Sequence, residues 1–230
     1  MHKKIGILGG MSPESTVEYY QYITRHYTER FGDYGYPEII IYSMSFQQYV
    51  DWPYAGRWDL VAEGLGQAAR QLEVAGADFI VIATNTMHLV VEEVQAAVKV
   101  PILSLLDVVA DAIQQKGLTS VGLLGTAFTM SSRFYHQALA ARGIEVLTPL
   151  PDEQQYINDV IYRELVAGKI LPDSRRGYLE IIARIAERGA QGMILGCTEI
   201  PLLVKQGDTS LPLFDTTLLH AEAALNFAIQ

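Results

Sequence analysis

Short hydrophobic runs alternate along this chain with longer segments in which hydrophobic residues recur at helical spacing. A run that is hydrophobic at nearly every position is typical of a strand buried on both faces of a parallel sheet. Regular alternation of such strands with helices predicts an α/β fold with right-handed crossover connections. The predicted strands cover residues 4–9, 38–43, 78–83, 102–104, 120–124, 145–147, 192–195 and 213–214.

Helix signals follow most of these strands. In the first helix, Ser12 suits the N-cap and Pro13 suits the first helical position. By contrast, the aromatic stretch 46–58 contains Pro53 and Gly56, and we predict that it is irregular. The predicted helices cover residues 13–30, 59–75, 87–98, 107–116, 132–142, 153–167, 173–188, a short segment from 201, and 216–228.

The chain contains an internal repeat. Two pairs of segments match at offsets of 116 and 113 positions, and the second pair sets the only cysteine, Cys197, opposite Thr84. Two copies of one unit usually pack about a pseudo-dyad, and equivalent strand ends then face each other. The matching segments are 4–9 with 120–125, and 76–86 with 189–199.

A chain of 230 residues is long enough for two such units of common domain size. The repeat therefore predicts two similar Rossmann-like domains with parallel sheets, related by a pseudo-two-fold. We expect the last helix to pack back on the first half, because it follows the second repeat. The predicted N-terminal domain comprises residues 1–100 and 213–230, and the C-terminal domain comprises residues 101–212.

Composition narrows the class of protein. Half of the residues are hydrophobic and only 19% are charged, which favours a well-packed globular protein. A net charge of −9 argues against partners such as nucleic acid or an anionic membrane surface. No hydrophobic run approaches the roughly 18 residues of a membrane span. With a single cysteine no internal disulfide can form, so we expect a cytoplasmic protein.

Polar residues follow four of the predicted strands, where ligands bind in sheets of this kind. Each of these loops precedes a helix, so backbone N–H groups and positive helix ends are expected to form a site for a carboxylate. The alternative is that each Ser or Thr only caps its own helix. The four loops are Gly10-Met11-Ser12, Thr84-Asn85-Thr86, Thr126 to Thr129, and Cys197-Thr198-Glu199.

Cys197 is the candidate for acid/base chemistry. At the start of a helix a thiol pKa can fall by several units from about 8.5, which would favour the thiolate. Glu199 could accept the thiol proton or could raise the thiol pKa by like-charge repulsion. The alternative role for a lone cysteine is that of a small, inert core residue.

Three segments resemble signatures of a known family: Leu8-Gly9-Gly10-Met11-Ser12, Ala83-Thr84-Asn85-Thr86-Met87-His88 and Gly196-Cys197-Thr198-Glu199. They are similar to those of the aspartate/glutamate racemases, and most of all to the bacterial broad-specificity amino-acid racemase branch. The resemblance implies two similar α/β domains with the active site in the interdomain cleft. It also implies no cofactor, pyridoxal phosphate included, a small amino-acid (dicarboxylate) substrate and a homodimer. In typical members, two cysteines on opposite sides of the substrate α-carbon exchange the α-proton.

Carried over to this sequence, the resemblance makes Cys197 the second of those cysteines, whereas Thr84 stands where the first should be. A threonine hydroxyl has a pKa far too high for a resting base, although it can pass on a proton or position a water. We therefore expect deprotonation to proceed from the Cys197 side and to be poor from the Thr84 side. By analogy with the family, the Cys197 side acts on the L-enantiomer.

The resemblance also assigns substrate-binding residues. Asn85, Thr86 and Thr198 fall on positions that hold the substrate carboxylate. The arginine-bearing motif of aspartate-specific members is absent, and Ser45 to Tyr49, including Gln47, stands in that region. Arg163 and Lys169 lie near the other basic position without aligning with it, so strict aspartate specificity is not expected. The remaining candidates for substrate contact are Met11, Ser12, Thr126 and Glu199.

Other interpretations stay open. The missing first cysteine fits a one-cysteine decarboxylase or isomerase of malonate- or maleate-like acids, or a small-acid binding protein that has lost catalysis. Asp215 and His220 with Cys197 would suit a Cys-His-Asp hydrolase, although no nucleophile elbow is present. His88 and His220 lack ligand spacing, so no metal site is expected.

The sequence lacks the Gly-x-Gly-x-x-Gly fingerprint, so a nicotinamide cofactor is not expected. An aromatic group could form a lid, a surface for homodimer packing or part of the packed interior, and we favour homodimer packing because exposed aromatic residues favour interfaces. Its members are Tyr49, Trp52, Tyr54 and Trp58.

Overall fold

The computed structural model describes residues 2–230, and these form two compact units. The first unit runs to Val108 and takes in Thr217–Gln230, and the second is Val109–Thr216. The strands are β1 Ile5–Gly9, β2 Ile39–Ser43, β3 Phe79–Ile82, β4 Ile102–Leu103, β5 Ser120–Leu124, β6 Glu145–Leu147, β7 Met193–Leu195 and β8 Leu213–Asp215.

Most α-helices stand between consecutive strands, with short 3₁₀ helices at Thr86–Val90, Leu165–Ala167 and Gln206–Asp208. The α-helices are α1 Pro13–Phe31, α2 Phe46–Tyr54, α3 Trp58–Val74, α4 Val91–Ala96, α5 Leu105–Gln115, α6 Ala127–Ser131, α7 Phe134–Ala140, α8 Pro151–Arg163, α9 Pro172–Glu187, α10 Ile200–Leu203 and α11 Thr216–Ile229.

Each unit contains one four-stranded, fully parallel sheet, and the two sheets have the same topology. Their strand orders are β2-β1-β3-β4 and β6-β5-β7-β8, which correspond strand by strand under the repeat. In the first sheet Leu8 lies beside Ile82, and in the second Leu124 lies beside Leu195. The α/β class and the two similar parallel-sheet units are confirmed.

The core of the first unit lies on both faces of its sheet. On one face Leu8, Ile80 and Ile82 pack with helices α3 and α4. On the other face, strand residues pack with α1 and with α11, which contributes Ala224 and Leu225. The expectation that the last helix packs on the first half is therefore confirmed. In the second unit, Leu124, Met193 and Leu195 pack with helices α8 and α9.

The fourth strand of each sheet shifts the unit boundaries from the positions given by the sequence pattern. Strand β4 pairs with β3 through Ile80 and Ile102, so it belongs to the first sheet. Strand β8 pairs with β7 through Met193 and Leu213, so it belongs to the second. The boundaries therefore fall after these strands, whereas the divisions at 100/101 and 212/213 fall before them. The repeat does not extend into either strand, which is why the pattern missed their membership.

Several local predictions were wrong. Strand β2 is not buried, because it is the edge strand and Ile41 and Tyr42 are exposed. The stretch 46–58 is not irregular: α2 forms there with Tyr49 buried against the core, and Pro53 lies inside this helix, one residue before its end. Tyr49 is therefore a core residue and not part of an exposed aromatic surface.

Two predicted helices are interrupted. The helix expected over 87–98 is a 3₁₀ helix followed by the short α4. The helix expected over 153–167 is α8 followed by a 3₁₀ helix at Leu165–Ala167. The helix expected over 132–142 is α7, and an additional short helix, α6, precedes it in the loop predicted around Thr126 to Thr129.

Candidate functional site

The carboxyl end of β1 leads into a tightly fixed turn. Gly10 adopts a left-handed conformation with φ of 87°, and a Cβ on Gly9 would lie 2.4 Å from the Thr16 hydroxyl oxygen. That hydroxyl accepts a hydrogen bond of 2.8 Å from the Gly10 N–H and donates one of 3.0 Å to the Ser12 carbonyl. Ser12 caps α1 by accepting the Ser15 N–H, as the sequence predicted. The turn is therefore rigid, with the half-buried Ser12 at the start of the helix.

Met11 and Gln47 are less accessible to a ligand than the sequence analysis assumed. The Met11 side chain is 4% exposed and packs in the core with Leu8 and Tyr49. Gln47 is exposed on α2, where its amide donates a hydrogen bond of 2.8 Å to Asp51. The structure thus leaves mainly the backbone of Met11 to meet a ligand, and it gives Gln47 a partner on its own helix.

The loop after β3 lies next to this turn, because β1 and β3 are neighbours and the Ala83 N–H donates to the Leu8 carbonyl at 2.9 Å. Thr84 and Thr86 are half-buried, and Asn85 is buried. The structure therefore brings Ser12 and the residues 84–86 together at the carboxyl edge of one sheet. Asn85 is not a side-chain cap of the following 3₁₀ helix.

The buried side chain of His88 holds the backbone of this loop by a hydrogen bond. It is 2% exposed, and its Nδ1 lies 2.8 Å from the Thr84 carbonyl oxygen. Its Nε2 accepts the Leu105 N–H at 3.1 Å, so Nδ1 must carry the proton that is donated to Thr84. Burial lowers the pKa of His88 to about 4, which keeps the ring neutral. Nothing near His88 in the sequence indicates this contact, because its partner Leu105 is distant in sequence.

In the second unit, Thr126 caps the short helix α6. Its hydroxyl accepts the Thr129 N–H at 3.3 Å and lies 3.1 Å from the Thr129 hydroxyl. The next backbone N–H, that of Ala127, donates to Asn158 of α8 at 2.9 Å. Asn158 thus orders this loop, and nothing in the sequence pattern of α8 marked it. Thr126 is half-buried, and its hydroxyl serves the helix cap.

Cys197 follows β7 after a single glycine and is paired with a carboxylate. Its Sγ donates a hydrogen bond of 2.9 Å to Oε2 of Glu199, and the Thr198 hydroxyl donates to the same oxygen at 2.8 Å. All three residues are half-buried. The sequence analysis left open whether Glu199 accepts the thiol proton or disfavours the thiolate. The geometry is suited to both: the carboxylate is the acceptor and the nearest negative charge.

Of the two effects that the sequence left open for Cys197, the one that disfavours the thiolate prevails. Burial, followed by the charge of Glu199 and its hydrogen bond, raises the pKa of the thiol well above its ordinary value. Helix α10 has only four residues, so its N-terminal field is weak compared with these effects. The resting group is a thiol hydrogen-bonded to a carboxylate.

The hydrolase interpretation is not favoured by the contacts of His220. This residue is fully buried, with Nδ1 2.7 Å from the Tyr19 hydroxyl and Nε2 2.9 Å from the Leu103 carbonyl oxygen. Both ring nitrogens therefore have partners within the first unit, and neither is left for a thiol.

The basic residues considered for a distal carboxylate are exposed. Arg163 forms an ion pair of 3.4 Å with Asp159 one helical turn away, and Lys169 is exposed. Among residues 2–230, no group of three or more His, Cys, Asp or Glu side chains is arranged to hold a metal ion. Over the same residues, no helix is both long and hydrophobic enough to cross a membrane.

Two parallel α/β units of one topology, with a thiol–carboxylate pair at a strand end of the second, fit an amino-acid racemase, and comparison with known proteins places the chain in this class of isomerase. The chain belongs to the Asp/Glu/hydantoin racemase family, whose model matches residues 8–224. The family resemblance read from the three sequence segments is thereby confirmed.

Similar proteins span nearly the whole chain. A protein of known crystal structure from Yersinia pestis is 43% identical, with a TM-score of 0.95 over 99% of this chain and 100% of that one. An aspartate racemase homologue from Pyrococcus horikoshii OT3 is 41% identical, with a TM-score of 0.88 and the same coverage. The broad specificity amino-acid racemase RacX of Bacillus subtilis is 28% identical over 96% of each chain.

Proposed function

We propose that this protein interconverts the L- and D-enantiomers of amino acids, aspartate and glutamate foremost, by proton transfer at the α-carbon without a cofactor. Cys197 is the acid/base group on one face of the substrate, and Thr84 replaces the second cysteine on the other. The observation that carries the proposal is the hydrogen bond between the Cys197 thiol and Glu199, at the strand end that the repeat pairs with Thr84. The relatives described as an aspartate racemase homologue and a broad specificity racemase support this range of substrates.

The first step of the proposed reaction begins from the thiol form of Cys197. Glu199 takes the thiol proton when substrate binds, and the resulting thiolate removes the α-proton from the L-enantiomer. The carbanion shares its charge with the substrate carboxylate as an enediolate. Donors from Asn85 and Thr86, joined by the Thr198 hydroxyl once it leaves Glu199, hold that carboxylate and stabilise the added charge, which is commonly the largest catalytic effect.

In the second step a proton reaches the opposite face of the carbanion. The Thr84 hydroxyl, or a water that it positions, supplies that proton and regains one from solvent, while Glu199 returns the proton it took from the thiol to solvent. Ser12, Thr126 and the backbone of Met11 line the carboxylate end, and Gln47 contacts the distal group after leaving Asp51. Because a threonine hydroxyl is a poor base, deprotonation of the D-enantiomer is slow. The two enantiomers have equal free energy, so net racemisation is limited by this proton transfer in both directions. The asymmetry therefore lies in α-proton exchange, which is faster from the L-enantiomer.

The test is incubation with single enantiomers in D₂O, followed by chiral chromatography and ¹H NMR of the α-proton. We expect L-aspartate or L-glutamate to lose its α-proton faster than the D-enantiomer and to yield the D-product. Activity should survive dialysis against EDTA and hydroxylamine, which remove metals and pyridoxal phosphate. A decarboxylated or isomerised acid would favour the one-cysteine alternative, and binding without exchange would favour the binding protein.

Glu199→Gln is expected to separate two effects of the carboxylate. The amide keeps an acceptor oxygen but removes the charge that helps to raise the thiol pKa, so alkylation of Cys197 by iodoacetamide at pH 8 should become faster. α-Proton exchange should nevertheless fall by about 100-fold, because the proton acceptor is lost. Glu187→Gln, an exposed position on α9, is the matched control and should change neither rate. Slower alkylation, or exchange at the wild-type rate, would contradict the role given to Glu199.

We also propose that the protein is a cytoplasmic homodimer. Of the aromatic group singled out in the sequence, Tyr54 is 83% exposed, which supports a contact between copies there. Sedimentation equilibrium tests the assembly, and a monomer at micromolar concentration would contradict it.

A further inference from the structure

The first unit contains a pair of buried histidines that the proposed chemistry does not use. His88 and His220 are 2% and 0% exposed, and their ring centroids lie 5.8 Å apart in an edge-to-face arrangement. A buried polar group destabilises the fold unless it is hydrogen-bonded. The hydrogen-bond partners of these rings therefore indicate what the rings do.

All four ring nitrogens have partners, and the partners fix the tautomers. His88 donates from Nδ1 to the Thr84 carbonyl and accepts the Leu105 N–H at Nε2. His220 donates from Nε2 to the Leu103 carbonyl and accepts from the Tyr19 hydroxyl at Nδ1. Both rings are therefore neutral, and burial lowers their pKa values to about 4 and about 3, respectively.

The hydrogen bonds form two sets, Tyr19–His220–Leu103 and Leu105–His88–Thr84, which meet at the contact between the two rings. Tyr19 comes from α1 and His220 from α11, and Leu103 and Leu105 come from the end of β4 and the start of α5. In the second set, the backbone of Thr84 is fixed on both sides: its N–H donates to the Ile82 carbonyl at 2.8 Å, and its carbonyl accepts from His88. The backbone that carries the candidate proton donor is thus held by His88.

We propose that His88 is a positioning residue: it fixes the Thr84 carbonyl and so sets the Thr84 hydroxyl for proton delivery, while His220 packs against it and keeps its ring in place. This inference rests on the proposed function. Placement of about 1 Å matters for proton transfer, because misplacement by that distance can cost about 100-fold in rate. The contact to Leu105 requires a neutral ring, because a backbone N–H can only donate.

Two substitutions of His88 each remove a different one of its two hydrogen bonds. Asn at this position can keep a donor near Nδ1 for the Thr84 carbonyl, whereas Gln can keep an acceptor near Nε2 for the Leu105 N–H. Each variant keeps one of the two hydrogen bonds and loses the other, so the two should lose similar amounts of folding stability. A role in the stability of the fold alone would affect both variants alike.

The measurement follows L-substrate in D₂O and compares two products. Deuterated L-product reports exchange on the Cys197 side alone, and deuterated D-product reports proton delivery from the Thr84 side. We expect His88→Gln to lower the ratio of D- to L-product at least about tenfold, and His88→Asn to keep it within about twofold. Equal ratios in both variants and the wild type would overturn the positioning role while leaving the proposed function intact.

A second measurement does not need activity. Amide hydrogen exchange of the segment 84–90 should be faster in His88→Gln than in His88→Asn, because the anchor of the Thr84 carbonyl is lost only in the former. Equal amide protection in the two variants would overturn the inference, whether or not the wild type shows turnover. Absence of turnover in the wild type would refute the proposed function separately. Should either variant fail to fold, Tyr19→Phe removes the donor to His220 and should shift the same ratio and protection in the same direction. An unchanged ratio and protection in Tyr19→Phe would then count against the inference.

Discussion

Replacing Cys197 with alanine should lower α-proton exchange of the L-enantiomer by about 10³- to 10⁴-fold, the range in which a positioned acid/base group contributes. The reason is the thiol–carboxylate pair: Glu199 can accept the proton of Cys197, and no other residue of the sequence has a thiol. The measurement is loss of the α-proton signal in D₂O by ¹H NMR, with thermal unfolding of the same samples recorded in parallel.

Cys197→Ser is the matched control for packing. Its hydroxyl can still donate to Glu199 but ionises far less readily than a thiol, so exchange should fall nearly as far as in Cys197→Ala, with little change in thermal stability. Exchange within about tenfold of the wild type in the serine variant would mean that proton transfer does not need the thiol, and the role assigned to Cys197 would be wrong.

The parts of the fold that could be predicted are those that depend on local sequence. The match of 4–9 with 120–125 anticipated two sheets whose strands correspond in order. Ser12 and Pro13 identified the start of α1 correctly, because a cap hydroxyl and a missing N–H act within one helical turn. The position of Cys197 after a buried strand followed from the same kind of pattern.

The parts that could not be predicted depend on contacts made by folding. Strand β2 is exposed because it lies at the edge of the sheet, whereas its hydrophobic sequence predicts a buried strand. The anchoring of Thr84 by His88 also requires Leu105, which approaches only when β4 joins the first sheet. The protonation state of Cys197 depends on how far burial removes the thiol from solvent, which the sequence does not give.

The two strand ends that the repeat pairs differ in their chemistry. At the offset that pairs Cys197 with Thr84, Glu199 is paired with Thr86. The first unit therefore lacks both the thiol and the carboxylate of the second. A thiol introduced at position 84 would lack the neighbouring carboxylate that raises the pKa of Cys197, so it should ionise more readily than Cys197 does.

Thr84→Cys should therefore raise α-proton exchange of the D-enantiomer by about 10²- to 10³-fold and bring the rates from the two enantiomers closer together. The variant should also contain two cysteines that react with iodoacetamide at different rates, the one at position 84 faster. Thr84→Ser is the control that keeps a hydroxyl, and its exchange rates should stay within a few-fold of the wild type. Peptide mapping after brief alkylation and D₂O exchange with each enantiomer provide the measurements. If the new thiol is readily alkylated but exchange from the D-enantiomer does not rise, residue 84 does not face the α-proton, and the two-sided mechanism is wrong.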